Sequence, residues 1–307
     1  MRIEISIDVS AERNLIVFTA KGRGETDIYL LDLSTRIVRR LTRSSWYERN
    51  PRFLPNGKAI LFEARRDASN PRDGWNLFII TLHDWKIKQL THTRRVSDAF
   101  VSFLPNRSKL LIARTPKLRR YSMGGYVWDW NVASYYVLDL NSQRLESFPV
   151  RLSDWYIHAF SPSGEQVLAA RPISGVAGWR EPELWLLESH PLIQHGVAKG
   201  RKIAEGTDAV WIPSLNQIAF VAPGRSQYER EVWTIGLDGS KLVQRTKLRG
   251  YLDCLRVDTK RNYIYFLKVE DGATMLRSLW RLHLPSGHVE KVADTTLFSD
   301  PLRYSKR

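Results

Sequence analysis

Arginine and aromatic residues cluster in a few polar stretches of this 307-residue chain. Guanidinium groups form paired, charge-assisted hydrogen bonds with carboxylates and phosphates, and aromatic rings add rigid contact area. Stretches of this composition between strands are typical of binding surfaces, because loops on a rigid scaffold carry recognition. We therefore predict a surface that binds acidic groups through Arg65, Arg66, Arg119, Arg120, Tyr126, Trp128, Trp130, Trp155 and Tyr156.

Acidic residues and one histidine form a second set that could take part in chemistry. They lie at the start of apolar segments that predict strands, at Asp98, Asp154, His158, Asp208 and Asp253. A ring of carboxylates at the mouth of a channel could hold a cation, an amine or a sugar hydroxyl. Aspartate at a turn also accepts hydrogen bonds from backbone N–H groups, which would make these residues structural. We favour the structural interpretation and keep the channel mouth as the alternative.

Catalytic and metal-binding patterns are weak in this sequence. No Gly-x-Ser-x-Gly element occurs, which excludes a hydrolase nucleophile of that type. The single cysteine, Cys254, excludes an internal disulfide and a multi-cysteine zinc site. The seven histidines lack the spacing of a metal-binding helix. We therefore predict no catalytic residue, no metal and no cofactor. The apolar pattern around Cys254 predicts a buried, inert thiol.

The elements that position these residues are given by a sequence motif that recurs six times along the chain. Its clearest copy, residues 50–91, opens with a polar turn, Pro55-Asn56-Gly57, and closes on Gln89-Leu90-Thr91. Between them lie two apolar runs, 59–62 and 77–82. The second apolar run returns with first residues 49, 58, 49, 48 and 47 positions apart, at Ile28, Leu77, Tyr135, Leu184, Val232 and Leu279. Self-similarity at such a period indicates a repeat architecture.

Each copy contains four short apolar segments separated by turn residues, which is the pattern of a propeller blade. The sequence therefore predicts an all-β protein, a six-bladed β-propeller with four antiparallel strands per blade. We expect a single domain, 1–307, with blades near 1–45, 46–95, 96–151, 152–205, 206–249 and 250–307.

The connections between strands differ in length at the two ends of a predicted blade. If the strands are labelled a to d, the b–c and d–a connections lie at one end, which we call the loop face. The a–b and most c–d turns are short. The arginines and aromatic residues fall mainly on the loop face, where the d–a connections add Arg94 and Arg95 and the third copy carries a long insertion, 115–131. The loop face is therefore the predicted binding surface.

The phrase Pro-x-Phe-x-Pro-Asn-Gly-Lys-x-Ile-x-Phe of residues 51–62, followed by Leu-Thr, resembles the TolB-type β-propeller repeat. That repeat also occurs in the propeller domains of prolyl oligopeptidases. The resemblance is strongest at 50–91, good at 26–42 and 158–170, and weaker in the last two copies. It implies a six-bladed propeller but no activity, because propellers carry many unrelated functions.

The charge balance points to acidic partners. Lys and Arg number 47 against 32 Asp and Glu, a net charge of +15. We predict a non-catalytic scaffold that binds an acidic protein within a complex. The alternatives are a nucleic-acid or polyanion-binding module, in which bases stack on aromatic rings, and a lyase or hydrolase of acidic carbohydrates.

The hydropathy of the chain and the sequences at its two ends bear on its cellular location and on closure of the propeller. No apolar run of about 18 residues predicts a transmembrane helix, and residues 1–8 resemble a strand more than a signal peptide. We expect a cytoplasmic protein; because TolB is periplasmic, a periplasmic protein whose signal has been removed is the alternative. Residues 298–304 resemble the start of another repeat, and we expect the tail to return to the first blade, where it either pairs with residues 1–8 or lies beside them over the channel.

Overall fold

Strands dominate the computed structural model of the protein, which describes residues 6–21, 26–67, 70, 73–105, 108–116, 118–120, 126–128, 132–151, 155–171, 181–226, 228–273 and 275–304. The chain forms two compact units, Met1–Ser153 with Ser299–Arg307, and Asp154–Phe298. Each unit contains three four-stranded antiparallel sheets whose strands are ordered as in the chain. These six sheets are the blades, so the predicted six-bladed β-propeller fold is confirmed.

Blades 1 to 3 belong to the first unit. Blade 1 contains β1 (Ile7–Ser10), β2 (Leu15–Lys21), β3 (Thr26–Asp32) and β4 (Val38–Arg40). Blade 2 contains β5 (Tyr47–Phe53), β6 (Ala59–Arg65), β7 (Asn76–Thr81) and β8 (Ile87–Gln89). Blade 3 starts with β9 (Ser97–Phe103) and β10 (Lys109–Thr115), is interrupted by a separate hairpin of β11 (Leu118–Arg120) and β12 (Tyr126–Trp128), and ends with β13 (Ser134–Asp139) and β14 (Leu145–Arg151).

Blades 4 to 6 belong to the second unit. Blade 4 contains β15 (Tyr156–Phe160), β16 (Gln166–Arg171), β17 (Glu183–Glu188) and β18 (Gly200–Glu205), with helix α1 (Ser189–His195) before β18. Blade 5 contains β19 (Thr207–Ile212), β20 (Gln217–Pro223), β21 (Arg230–Gly236) and β22 (Val243–Gln244). Blade 6 contains β23 (Tyr251–Asp258), β24 (Tyr263–Asp271), β25 (Leu276–His283) and β26 (Val289–Ala293), and is followed by α2 (Thr296–Ser299) and α3 (Pro301–Tyr304).

The core lies between the faces of neighbouring blades. Val17 and Ile28 of blade 1 share a buried cluster with Ile60, Phe62 and Phe78 of blade 2. Similar clusters join blades 2 and 3, blades 4 and 5, and blades 5 and 6. The middle strands therefore have continuous apolar sequences, because both of their faces are covered. Each such side chain stabilises the fold by about 1.5–3 kcal/mol relative to an exposed one.

The closing Leu-Thr of the repeat has a definite structural role. In three blades the threonine hydroxyl accepts a hydrogen bond from the N–H of the first apolar residue of the third strand. The pairs are Thr42 with Ile28 at 2.9 Å, Thr91 with Leu77 at 3.0 Å and Thr246 with Val232 at 2.9 Å. This bond satisfies a buried backbone donor at the end of the sheet, where an unpaired N–H would be costly.

The C-terminal segment reaches blade 1 by a different contact from the one we expected. Helix α3 packs against the outer strand β4, and the Arg36 guanidinium donates a hydrogen bond to the Tyr304 hydroxyl at 3.1 Å. The expected return of the tail to the first blade is confirmed, but the main contact of α3 is with the outer strand β4 and not with β1. Pro301 begins this short helix, because its fixed backbone angle suits a first helical turn and disfavours a sheet ladder.

Cys254 lies on the first strand of blade 6 as predicted, but it is half-buried, so the expected full burial is wrong. The strand is irregular there: its register shifts between Asp253 and Arg256, and Cys254 has a positive φ of 58°. The irregularity takes the residue out of the alternating pattern on which the expectation of burial was based. Among the described residues, no helix is long and apolar enough to cross a membrane.

Candidate functional site

A polar pocket of about 500 Å³ opens on the loop face of blade 2. The connection from β6 to β7 and the connection from β8 to β9 form its walls. Its lining includes Arg66, Asp73, Asn76, Thr93, Arg94 and Arg95, and we call it the blade 2 pocket. These connections come together because the b–c and d–a connections of one blade lie at the same end of its strands.

Asn76 organises the wall that carries Arg94 and Arg95. This side chain is buried at the start of β7. Its Oδ1 accepts hydrogen bonds from the N–H of Thr93 at 2.7 Å and from the Thr93 hydroxyl at 3.0 Å. Its Nδ2 donates to the carbonyl oxygens of Gly74 at 3.1 Å and Thr93 at 2.9 Å. One neutral amide thus fixes both walls of the pocket.

The two walls also touch through Gly74. An added β-carbon at this residue would lie 1.9 Å from the carbonyl oxygen of Val96 and 2.8 Å from its carbonyl carbon. Real contacts of that length do not occur, so only glycine allows the b–c connection to approach the d–a connection this closely. The approach places Trp75 next to Ser97, whose hydroxyl accepts the Trp75 N–H at 3.1 Å.

The pocket has an excess of positive charge. Arg66, Arg94 and Arg95 are exposed, and Asp73 is the one carboxylate among the described lining residues. The Arg66 guanidinium donates to Gln89 and lies 5.3 Å from the centroid of the Trp46 ring, so its direction is fixed. In the described part of the chain, Arg94 and Arg95 form no ion pair. Among the described lining residues, three arginines against one aspartate leave an excess of two positive charges.

Arg65, one of the predicted binding residues, makes a contact within its own blade. Its guanidinium lies 5.6 Å from the ring centroid of the buried Trp75, and that of Arg49 lies 3.9 Å from the same ring. Arg49 is also paired with Glu63 at 2.8 Å. The Tyr47 ring meets Trp75 edge-on. This stack stabilises the start of blade 2.

The insertion of blade 3 forms a hairpin of its own. Arg120 pairs with Tyr126, Arg119 with Val127, and Leu118 with Trp128 along the β11–β12 ladder. The backbone of the predicted residues Arg119, Arg120, Tyr126 and Trp128 is therefore ordered into strands. Trp130 lies outside the described residues.

The two predicted aromatic residues of blade 4 differ in exposure. Trp155 is half-buried and meets Trp185 edge-on, with ring centroids 5.6 Å apart. Tyr156 begins β15 and is 37% exposed. Trp155 is therefore already in contact with its own blade, whereas the Tyr156 ring offers free surface.

Asp98 is fully buried on β9 and binds the Arg114 guanidinium through both oxygens, at 2.7 and 2.9 Å. These hydrogen bonds raise the pKa of Arg114. The Arg114 guanidinium also lies 5.4 Å from the centroid of the Tyr136 ring. Asp98 is thus a structural anion within blade 3.

His158, Asp208 and Asp253 lie on the first strands of blades 4, 5 and 6. Asp208 accepts a hydrogen bond from the N–H of Cys254 at 3.4 Å, and Asp253 pairs with Arg277 at 2.9 Å. Burial raises the pKa of Asp253, although Arg277 opposes this effect. Burial lowers the pKa of His158, although Asp208 opposes this effect, so the neutral imidazole is favoured.

Asp154 lies outside the described residues. Among the described residues, no three His, Cys, Asp or Glu side chains form a group that could hold a metal ion. Of the predicted channel-mouth set, Asp98, Asp208 and Asp253 are therefore engaged in hydrogen bonds of the blades.

Comparison with known proteins gives the fold but no family by sequence. No family model and no curated protein matches the chain. Among solved structures, the tricorn protease aligns with a TM-score of 0.66 at 16% identity over 95% of this chain. TolB from Acinetobacter baumannii aligns with a TM-score of 0.56 at 15% identity over 78%. An oligogalacturonate lyase in complex with manganese aligns with a TM-score of 0.59 at 14% identity over 94%.

The chain has a TolB-like β-propeller fold. It spans 26% of the tricorn protease chain and 54% of the TolB chain, and identities of this size establish the fold alone. Residue roles in this propeller must therefore be argued from its own contacts. Sequence reasoning placed Arg94, Arg95 and Arg66 on the loop face, but it missed their convergence in one pocket and the part played by Asn76. Because the b–c and d–a connections of one blade lie at the same end, their arginines could have been expected to share one pocket.

Proposed function

We propose that this propeller is a non-catalytic binding module whose loop face, on blades 2 and 3, holds an acidic protein partner. The observation that carries the proposal is the blade 2 pocket, where Arg66, Arg94 and Arg95 face one carboxylate. Exposed guanidinium groups on a rigid wall bind carboxylates well, because little entropy is lost when the contact forms. The predicted residues Arg119, Arg120, Tyr126, Trp128 and Trp130 would extend the surface from the neighbouring hairpin.

The partners already present in the blades support a non-catalytic role. Asp98 is held by Arg114, Asp253 by Arg277, and Asp208 accepts a backbone N–H. Asp98 and Asp253 each pair with an arginine of their own blade, and such a pairing favours a scaffold role over proton transfer to a substrate.

A protein partner suits the blade 2 pocket better than single-stranded nucleic acid does. Among the described residues, no Trp, Tyr or Phe lines the pocket. Proteins that bind single strands without sequence preference stack successive bases on aromatic side chains. The pocket provides hydrogen-bond donors and positive charge, which match the acidic groups of a protein partner.

A binding titration tests this proposal. A fluorescein-labelled hexaglutamate peptide serves as a model of an acidic protein surface, and a labelled thymidine oligonucleotide serves as the polyanion alternative. We expect the peptide to bind, and the R94A/R95A variant to lose at least about tenfold in affinity, because each lost charge-assisted hydrogen bond costs about 1.5–3 kcal/mol. The R119A/R120A variant tests the contribution of the hairpin in the same assay.

A matched control separates the pocket from the overall positive charge. The R13A/R144A variant removes two exposed arginines from a–b and c–d turns of blades 1 and 3, at the end opposite the loop face. It should bind the peptide like the unchanged protein. Equal losses in both double variants would mean non-specific attraction, and tighter binding of the oligonucleotide with a steep salt dependence would favour the polyanion alternative.

A further inference from the structure

The excess positive charge of the blade 2 pocket is larger than the single negative charge of one carboxylate. We propose that it binds the phosphate group of a phosphorylated serine or threonine side chain on the protein partner. This inference rests on the proposed function and specifies the acidic group that the pocket takes.

Blade 2 lacks a carboxylate that blades 1 and 5 have, so this position does not reduce the positive charge of the pocket. In blades 1 and 5, the residue before the first apolar position of the third strand is acidic, Asp27 or Glu231. Asp27 pairs with Arg40 at 2.6 Å, and Glu231 accepts the N–H of Arg249 at 2.8 Å. Blade 2 has the neutral Asn76 at the same position.

The equivalence of these positions is fixed by hydrogen bonds rather than by sequence alignment. Leu77 and Val232, the residues that follow Asn76 and Glu231, both donate their N–H to the threonine that ends the repeat. Asn76 and Glu231 also accept hydrogen bonds from those threonines. The amide in blade 2 therefore keeps the shape of the corner without adding a negative charge beneath the arginines.

A phosphate monoester matches this arrangement better than other acidic groups. It carries a charge of about −1.5 to −2 at neutral pH and has three acceptor oxygens, whereas a carboxylate carries one negative charge and two oxygens. The excess of two positive charges among the described lining residues matches the monoester. A phosphodiester of nucleic acid carries one charge per phosphate, and the pocket lacks the aromatic rings that would hold its bases.

The test compares three labelled pentapeptides by fluorescence anisotropy, with the sequence Gly-Gly-X-Gly-Gly and X as phosphoserine, glutamate or serine. We expect the phosphoserine peptide to bind about tenfold more tightly than the glutamate peptide, and the serine peptide not to bind. The R94A/R95A variant should lose about tenfold in affinity for the phosphoserine peptide, and the R13A/R144A control should lose nothing.

Asn76→Asp provides a variant with every arginine in place. The added carboxylate should weaken phosphoserine binding about tenfold, and thermal melting shows whether the variant is folded. If it does not fold, R94A/R95A decides alone.

The outcomes distinguish this inference from the proposed function. Equal binding of the phosphoserine and glutamate peptides, both lost in R94A/R95A, would overturn the phosphate inference and keep the acidic-partner function. Failure of both pentapeptides to bind, with hexaglutamate still bound, would overturn the phosphate inference alone. Failure of the pentapeptides and of hexaglutamate would overturn both. Binding of inorganic phosphate as tight as that of the phosphoserine peptide would overturn a protein source, because the peptide would then contribute no contact.

Discussion

Charged side chains in this protein fall into two groups that differ in their partners. Arg114, Arg230 and Arg277 are held by carboxylates within their own unit, with little solvent exposure on either side. Arg94 and Arg95 are exposed beside a pocket whose floor is a neutral amide. Buried ion pairs fix geometry, whereas exposed cations on a fixed wall remain available for an anion from outside.

Glu48 is the buried acid whose titration should be visible in stability. It is almost fully buried, and it accepts hydrogen bonds from the hydroxyls of Thr42 and of Ser44, the latter at 2.8 Å. Burial raises its pKa from 4.5 to about 7, although the two hydroxyl bonds oppose the shift. The folded state therefore holds the proton more tightly than the unfolded state does.

The Glu48→Gln variant should change how stability depends on pH. A raised folded pKa gives stability that is fully present below pH 4.5 and is lost as pH rises through about 7. This loss amounts to roughly 3 kcal/mol, at about 1.4 kcal/mol per pH unit. The neutral glutamine should not show it, so the variant gains stability relative to the unchanged protein between pH 5 and 8. Urea unfolding of the two proteins at pH 5 and at pH 8 measures this change in stability. Parallel pH profiles of the two proteins would contradict the raised pKa of Glu48.

At the scale of elements, the blades were predictable because their signals are local. The turn at Pro55-Asn56-Gly57 is fixed by a hydrogen bond from Gly57 N–H to Leu54 at 2.8 Å and by the positive φ of Gly57, 63°. Thr91 closes the same repeat with a bond to Leu77. Each signal lies within the copy that it organises, so a sequence pattern is sufficient.

The pocket and the aromatic stack were not predictable in the same way. Arg66 and Arg94 are 28 positions apart and meet only because two connections share one end of blade 2. The contact of the Arg65 guanidinium with the Trp75 ring was not predictable either, because composition alone does not show which arginines lie over an aromatic ring of their own blade. The tail was misplaced because its resemblance to a strand competed with the proline that begins α3.

Gly74→Ala tests whether the contact between the two connections supports the pocket. The new methyl group would overlap the backbone of Val96, so one connection must move. We expect a loss of about 1–3 kcal/mol in the free energy of unfolding, together with weaker binding of the acidic peptide. Gly272→Ala is the matched control, because nothing lies within 4 Å of its added β-carbon. Equal stability of the two variants would show that the connections are loosely packed.

At the scale of the molecule, neighbouring blades are joined by side chains as well as by apolar faces. At three junctions, a carboxylate of one blade accepts a hydrogen bond from a backbone N–H on the first strand of the next blade. The pairs are Asp8 with Phe53 at 2.8 Å, Glu63 with Phe100 at 2.9 Å and Asp208 with Cys254 at 3.4 Å. These bonds fix the rotation of one blade against the next, which an apolar contact alone would leave adjustable.

Removal of residues 297–307 should lower the melting temperature. The deletion uncovers β4 and removes the buried side chains of Leu297 and Phe298 and the hydrogen bond between Tyr304 and Arg36. Each kcal/mol lost lowers the melting temperature by about 2–4 °C in a protein of roughly this size. Tyr304→Phe, which removes one hydroxyl, should have a smaller effect. An unchanged melting temperature in the deletion would show that α2 and α3 contribute nothing to stability.

The contact of α3 with β4 also bears on the order in which the chain can mature on the ribosome. The first unit takes its main part from residues 1–153 and its last part from residues 299–307, with the whole second unit encoded between them. During synthesis, the outer strand β4 of blade 1 stays uncovered until residues 301–304 have emerged from the ribosome. The second unit is continuous and has no such delay. The unit that contains residues 1–153 is therefore completed only after the second unit has been synthesised, and its outer strand stays exposed until then.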